Sequence, residues 1–184
     1  MNAMRPLTYH QPVLLALHRG PGIIGTLIRW QTRSPYSHAS LYCPGDGVVE
    51  AREGHGVRRL SQLDPLPGET IDLFEVPSAT PEQLARLWQF AQAQVGKPYD
   101  YTMVLRFVSR RQASRKEAGK WFCSELAFGA FRHAGIDLLA RTEPWEVSPG
   151  WLPRSPLARF MGCFTCIGFT PATPSPAPFH PVFA

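Results

Sequence analysis

The sequence predicts an α+β fold, an antiparallel sheet packed against helices, and three observations carry that reading. Residues 37–51 alternate in polarity on either side of a strong turn at 44–47, the pattern of a β-hairpin. Residues 81–95 set an apolar stripe at helical spacing behind an N-cap signal. A second helical stripe follows the cysteine at position 123. No internal repeat is evident.

Bulk properties narrow the class. At 184 residues one domain is expected, over 1–170, with 171–184 as a proline-rich tail. A chain of this size buries about 70% of its unfolded surface, so its core needs neither disulfide nor metal. Hydrophobic content of 44% against 18% charged residues excludes a disordered chain. The net charge of +5 admits nucleic acid, an anionic membrane surface or an acidic polymer as partner. No zinc finger, RNP motif or basic reading helix is present, so nucleic acid is not expected. Much of the excess charge sits at Arg52, Arg58 and Arg59, and in the segment 106–120. That segment is expected to be a solvated surface stretch, with contact to an anionic substrate or lipid surface as the sharper reading. The start, Met1 to Pro6, lacks the apolar core of a signal peptide, and 13–17 is far too short to span a bilayer. A cytoplasmic protein is therefore expected, with Cys43, Cys123, Cys163 and Cys166 reduced.

The elements follow in order. Residues 12–17 form a buried strand, closed by the turn Gly20-Pro21-Gly22. Ile23, Ile24, Leu27 and Ile28 give a short helix over 23–33. In the hairpin, His38, Ser40 and Tyr42 share one face and Ala39, Leu41 and Cys43 the other. Centring its turn near Pro44 places His38 opposite Glu50, within reach of a hydrogen bond. Strands are expected at 56–62 and 70–76. Thr80 caps the next helix, with Pro81 at its first position, Gln83 completing a capping box and Gly96 ending it. Leu84, Leu87, Trp88, Ala91 and Val95 make its stripe. The helix over 123–134 buries Leu126, Ala127, Ala130, Phe131 and Ala134 and stops at Gly135. Residues 143–158 are irregular, and 160–170 form one more strand.

The residues that bear chemistry are few. A thiolate, not a thiol, is the nucleophile, so a catalytic cysteine needs an activator. Cys123 has two at hand, the positive end of its helix and His38 as proton acceptor. Glu50 would fix the imidazole tautomer, and the Cys123 N–H would be a natural oxyanion donor. Tyr99 and Tyr36 are candidates for the substrate pocket. Glu125, the rival acid, reads better as a first-turn carboxylate complementing the helix dipole. Cys163-x-x-Cys166 lacks a second ligand pair for zinc, so no metal or other cofactor is expected. His10, His18 and His133 show no partner, and His55 reads as a turn residue.

Taken together, Ser37-His38-Ala39-Ser40-Leu41-Tyr42, Val49-Glu50-Ala51, Gly96-Lys97-Pro98-Tyr99-Asp100-Tyr101 and Phe122-Cys123-Ser124-Glu125-Leu126 resemble the circularly permuted branch of the NlpC/P60 superfamily. By pattern the chain is most similar to the YiiX/YebB-like cysteine hydrolases, with lecithin:retinol acyltransferase-like proteins more distant. The resemblance spans about residues 11–160. In ordinary papain-like chains the cysteine precedes the histidine; here the order is His38, Glu50, Cys123. The resemblance implies a permuted papain-like fold and thiol chemistry at an amide, ester or thioester bond of a lipid-like acyl or peptide substrate. It assigns Cys123 as nucleophile, His38 as base and Glu50 as third residue. A catalytically silent lipid- or peptide-binding module of the same fold is the alternative.

Overall fold

The computed structural model describes residues 12–20, 23–103 and 119–172. Its elements in chain order are β1 (Leu14–Arg19), α1 (Ile23–Thr32), β2 (His38–Cys43), β3 (Gly47–Arg52), β4 (Gly56–Leu60), β5 (Thr70–Glu75), α2 (Pro81–Gln92), α3 (Cys123–His133), β6 (Arg159–Thr165) and β7 (Gly168–Pro171). The strands form one sheet in the order β4-β3-β2-β1-β5-β6-β7, every neighbouring pair antiparallel. The basic segment lies outside the described residues except for its last two positions, and the tail lies outside them from 173 onward.

The sheet is apolar on both faces. Leu15, Leu17, Ala39, Leu41, Val49 and Ala51 join Trp88, Phe122 and Phe128 in one core beneath α2 and α3. Leu14, Ala16, Val48, Ile71 and Leu73 form a second core on the opposite face, closed by Leu63 from the loop after β4. Burial on both faces explains why the middle of β1 is a continuous apolar run with no alternation.

Helix α2 starts as its sequence predicts. Thr80 Oγ1 accepts from the Gln83 N–H at 3.2 Å, and Gln83 Oε1 accepts from the Thr80 N–H at 2.9 Å. Trp88 is fully buried, and its indole N–H donates to Asp46 in the β2–β3 turn, locking helix to hairpin. Val95 lies beyond the end of the helix and is 44% exposed, so it leaves the expected stripe.

The hairpin register differs from the expected one. Leu41 pairs with Val49, Tyr42 with Val48 and Cys43 with Gly47, which centres the turn on Gly45. The loop is the three residues Pro44, Gly45 and Asp46, with Gly45 left-handed at φ 81°. Gly47, at φ 114°, sits where an added Cβ would lie 2.2 Å from the Leu60 carbonyl oxygen. Moving the centre by one residue moves the register by two, so no side chain changes face. Continued along the strands, this register puts Ser40 opposite Glu50 and makes His38 its diagonal neighbour.

Two further boundaries differ. β1 runs to Arg19, two residues past the expected end, so His18 belongs to the sheet. The single strand expected over 160–170 is a hairpin of β6 and β7, turned at Cys166 and Ile167, where Thr165 Oγ1 accepts the Ile167 N–H at 3.3 Å. Residues 143–158 contain two single-turn 3-10 helices, Pro144–Glu146 and Leu152–Arg154.

Candidate active site

On the face away from the helices, four strands contribute one polar row. Arg58 on β4 stands opposite Glu50 on β3, Ser40 and His38 follow on β2, and His18 on β1 pairs directly with His38. His38 Nε2 lies 2.6 Å from Glu50 Oε2. The other carboxylate oxygen, Oε1, accepts from Arg58 Nε at 2.8 Å, and Arg52 stands 3.7 Å from Oε2. Burial pushes the Glu50 carboxyl up, but the hydrogen bond and charge of His38, with Arg58 and Arg52, outweigh it and hold the group below the usual carboxylate range. An ionised Glu50 accepts only, so His38 Nε2 is the nitrogen that carries a hydrogen toward it, and Nδ1 is the one that faces away from the carboxylate.

Cys123 comes from the other side. Phe122 is the extended N-cap of α3, and Cys123 occupies the first helical position at 2% exposure. Its N–H and that of Ser124, unpaired within the helix, favour a negative charge on the sulfur. So does the N–H of Ala39, the residue after His38, just beyond the point where the β2–β3 ladder ends. Glu125, at the third helical position, accepts the Phe122 N–H at 3.4 Å, which is the first-turn role expected of it. Ser124 Oγ donates to the Val147 carbonyl at 2.5 Å and ties the helix start to the 143–158 segment.

The thiol itself is not what the sequence suggests. Burial pushes Cys123 up to about 12, against the three backbone N–H groups, and the Glu50 charge adds to the rise. Among the described residues no hydrogen bond joins its sulfur directly to His38. The thiol at rest is thus neutral, not a lone thiolate.

Tyr99 shares the buried core with this thiol. An isolated bridge to Trp121 fixes it to the strand-like stretch entering α3, and its ring packs on Phe122 at 5.8 Å and Tyr101 at 5.0 Å. Burial, then the nearby Cys123 charge, pushes its hydroxyl above the ordinary phenol range. Tyr36 is placed differently. Its hydroxyl donates to Asp72 Oδ2 at 2.7 Å, where Arg19 binds the other oxygen, also at 2.7 Å. Among the described residues no hydrogen bond or ion pair joins Tyr36 to Cys123, His38 or Glu50, although its ring packs on the core cluster that contains Cys123.

Sequence reasoning missed two sets of partners. His18, read as partnerless, places Nδ1 3.1 Å from Glu69 Oε1 and Nε2 2.9 Å from Ser40 Oγ. Arg52 and Arg58, read as a basic stretch, are the cations of Glu50. The period-two pattern of 56–60 could have signalled the latter, since it puts Arg58 on the polar face. His133 stacks on Phe90 at 4.5 Å, at the opposite end of α3 from Cys123.

A cavity of about 320 Å³ opens beneath the 61–69 loop, its floor formed by His18, Glu50, Arg52 and Arg58 and its walls by Leu60, Leu63 and Leu66. Ligand atoms of His18, His38 and Glu50 lie within 4.8 Å of one another, which raises a metal site. The three do not fit one as they stand. Both nitrogens of His18 and Nε2 of His38 are engaged by protein partners, and two guanidiniums flank the carboxylate where a cation would sit.

No protein-family model matches this chain. No curated protein matches it. Among solved structures it is similar to the crystal structure of the metalloprotein yiiX from Escherichia coli O157:H7, with a TM-score of 0.50 at 17% identity, over 83% of this chain and 88% of that one. At that identity the likeness establishes the fold: this chain has a yiiX-like α+β arrangement of a seven-stranded antiparallel sheet with helices.

Proposed function

We propose that the chain is a cysteine hydrolase or acyltransferase acting on an amide, ester or thioester bond of a lipid-like acyl or peptide substrate, in the manner of permuted NlpC/P60 enzymes. The observation that carries the reading is the 2.6 Å bond from His38 to Glu50 beside a cysteine at the first position of a helix. Glu50 holds the Nε2–H tautomer, so Nδ1 takes the proton of the Cys123 thiol as sulfur attacks the carbonyl carbon. The Cys123 N–H supports the oxyanion. The carbon–heteroatom bond breaks, the leaving group takes the proton from His38, and a thioester remains. Water, or an acceptor amine or alcohol, then gives its proton to His38 and releases the acyl group, and the proton returns to sulfur.

The raised thiol bears on how this runs. A lone thiolate is costly in a buried site, but transfer to His38 makes an ion pair with no net charge. His38 therefore acts as a general base during attack. Hydrogen bonds of this kind are often long before substrate binds and tighten in the complex.

Burial of Cys123 also favours a second reading, a silent binding module of the same fold. One experiment separates the two. The protein is mixed with p-nitrophenyl esters and acyl thioesters of graded chain length, and its intact mass is followed. The hydrolase reading expects a transient acyl adduct on Cys123 that hydroxylamine removes and Cys123→Ser lacks. Saturable binding with no adduct, or full turnover by Cys123→Ser, would overturn it.

The yiiX structure is described as a metalloprotein, so a metal at His18, His38 and Glu50 is the remaining question. The flanking guanidiniums and the engaged ring nitrogens disfavour a cation there, so the thiol chemistry is carried by protein groups alone. Titration with Zn2+ is expected to show no site that disappears in His18→Ala.

A further inference from the structure

Behind His38 lies a second hydrogen-bonded set with no part in the steps above. Glu69, His18 and Ser40 are 7%, 6% and 1% exposed. They come from the end of the 61–69 loop, β1 and β2. Glu69 Oε1 is 3.1 Å from His18 Nδ1, and His18 Nε2 is 2.9 Å from Ser40 Oγ. A carboxylate at Nδ1 puts the hydrogen there, which leaves Nε2 to accept from the Ser40 hydroxyl. The ring is thus fixed in one tautomer and one orientation. Glu69 is itself held, since its Oε2 accepts the Leu66 N–H at 2.9 Å. Gly20 makes room for it: a Cβ there would stand 2.8 Å from Glu69 Oε1.

What the fixed ring touches is His38. The two imidazoles are cross-strand partners, with centroids 4.8 Å apart and planes at 70°, an edge-to-face contact. Glu50 pulls His38 from the β3 side while His18 stands against it from the β1 side. We propose that His18, held by Glu69 and Ser40, is a positioning residue for the thiol chemistry, its ring setting the plane of His38 so that Nδ1 is presented to Cys123. This rests on the reading of Cys123 and His38 as nucleophile and base. Burial lowers the His18 pKa against the raising effects of Glu69 and Glu50, and the charge of His38 lowers it further. A neutral ring spares His38 a like charge at the moment it takes the thiol proton.

Two variants separate positioning from mere structure. The amide of His18→Gln is able to donate to Glu69 and accept from Ser40, so the buried polar atoms stay satisfied while the ring is lost. His18→Phe keeps a ring and leaves both partners unsatisfied. The readout is iodoacetamide labelling of Cys123 relative to Cys43 in the same molecule at neutral pH, with melting temperature recorded alongside. His18→Gln is expected to lower the ratio by about tenfold, short of the roughly 10²-fold that a 1 Å misplacement of a catalytic group can cost, with little loss of melting temperature. His18→Phe is expected to melt lower yet keep more of the ratio. A ratio in His18→Gln equal to wild type, or ratios that simply track melting temperature, would overturn the proposal. Should His18→Phe fail to fold, His18→Gln against wild type decides alone. If wild type itself shows no preference for Cys123 over Cys43, the hydrolase reading and this one fall together. If wild type and His38→Ala behave as that reading expects while His18→Gln is unchanged, only the positioning role fails.

Discussion

Glu50 is the residue on which the site turns, because it is buried, ionised and shared by one imidazole and two guanidiniums. Its worth is asymmetric: the network is close to neutral when whole but costly when broken. Glu50→Ala leaves Arg58 facing a partly buried gap and frees His38, and a stability loss of about 3–5 kcal/mol is expected by chemical denaturation. On the proposed hydrolase reading, His38→Ala removes the base while leaving the thiol in place. Turnover on whichever acyl substrate is identified should fall about 10²–10⁴-fold, the usual worth of a general base. A smaller fall would mean that another group takes the proton.

At the scale of elements, the β2–β3 hairpin does the aiming. Its three-residue loop fixes the register that sets His38 diagonal to Glu50, and Gly47 permits that loop to close against β4. Gly47→Ala demands φ 114° of an alanine and presses its Cβ on the Leu60 carbonyl. A destabilisation of about 1–3 kcal/mol is expected from the backbone term alone. Thr80→Ala, at the capping box of α2, should cost about 1 kcal/mol with no effect on thiol reactivity. Much of this was legible in the sequence. The capping box, the stripe around Trp88, the two faces of the hairpin and the cysteine at a helix start all follow from local chemistry. The register was missed by two residues, because Pro44 and Gly45 are both plausible turn centres and only the φ of Gly45 decides. The parity held, so the pairing of His38 with Glu50 was foreseen by a route wrong in detail. His18 and Glu69 were not legible, because their contact joins residues 51 apart in the chain and nothing in a neighbouring residue announces it; Arg58, eight residues from Glu50, shows only in the alternation of 56–60.

Across the whole molecule the buried ionisable groups make one pH dependence. Glu50 and Glu69 are held below the usual carboxylate range, so the stability they contribute is present above it and lost as pH falls through their folded values. His18 is held below its ordinary 6.5, so acidification below that value protonates the unfolded chain first and draws stability away until the folded value is passed. All three act in the same direction. The melting temperature should decline progressively below about pH 6.5, by about 2–4 °C for each 1 kcal/mol lost at this chain length. Glu69→Gln should flatten part of that slope. The fold also supplies the control for its own chemistry. Cys43, at 1% exposure, is pushed up to about 11 by burial and Asp46, much as Cys123 is pushed to about 12, but of these two thiols Cys123 is the one that feels the Glu50 charge and the N–H of Ala39, the residue after His38. The most direct measurement is therefore the rate of iodoacetamide labelling at each cysteine from about pH 5 to 10, read by mass spectrometry in wild type and His38→Ala. Cys123 should outpace Cys43 by at least about tenfold at neutral pH and lose that lead without His38, in line with base-assisted attack. If both cysteines label alike, and only at alkaline pH, then His38 does not serve Cys123 and the hydrolase assignment is contradicted.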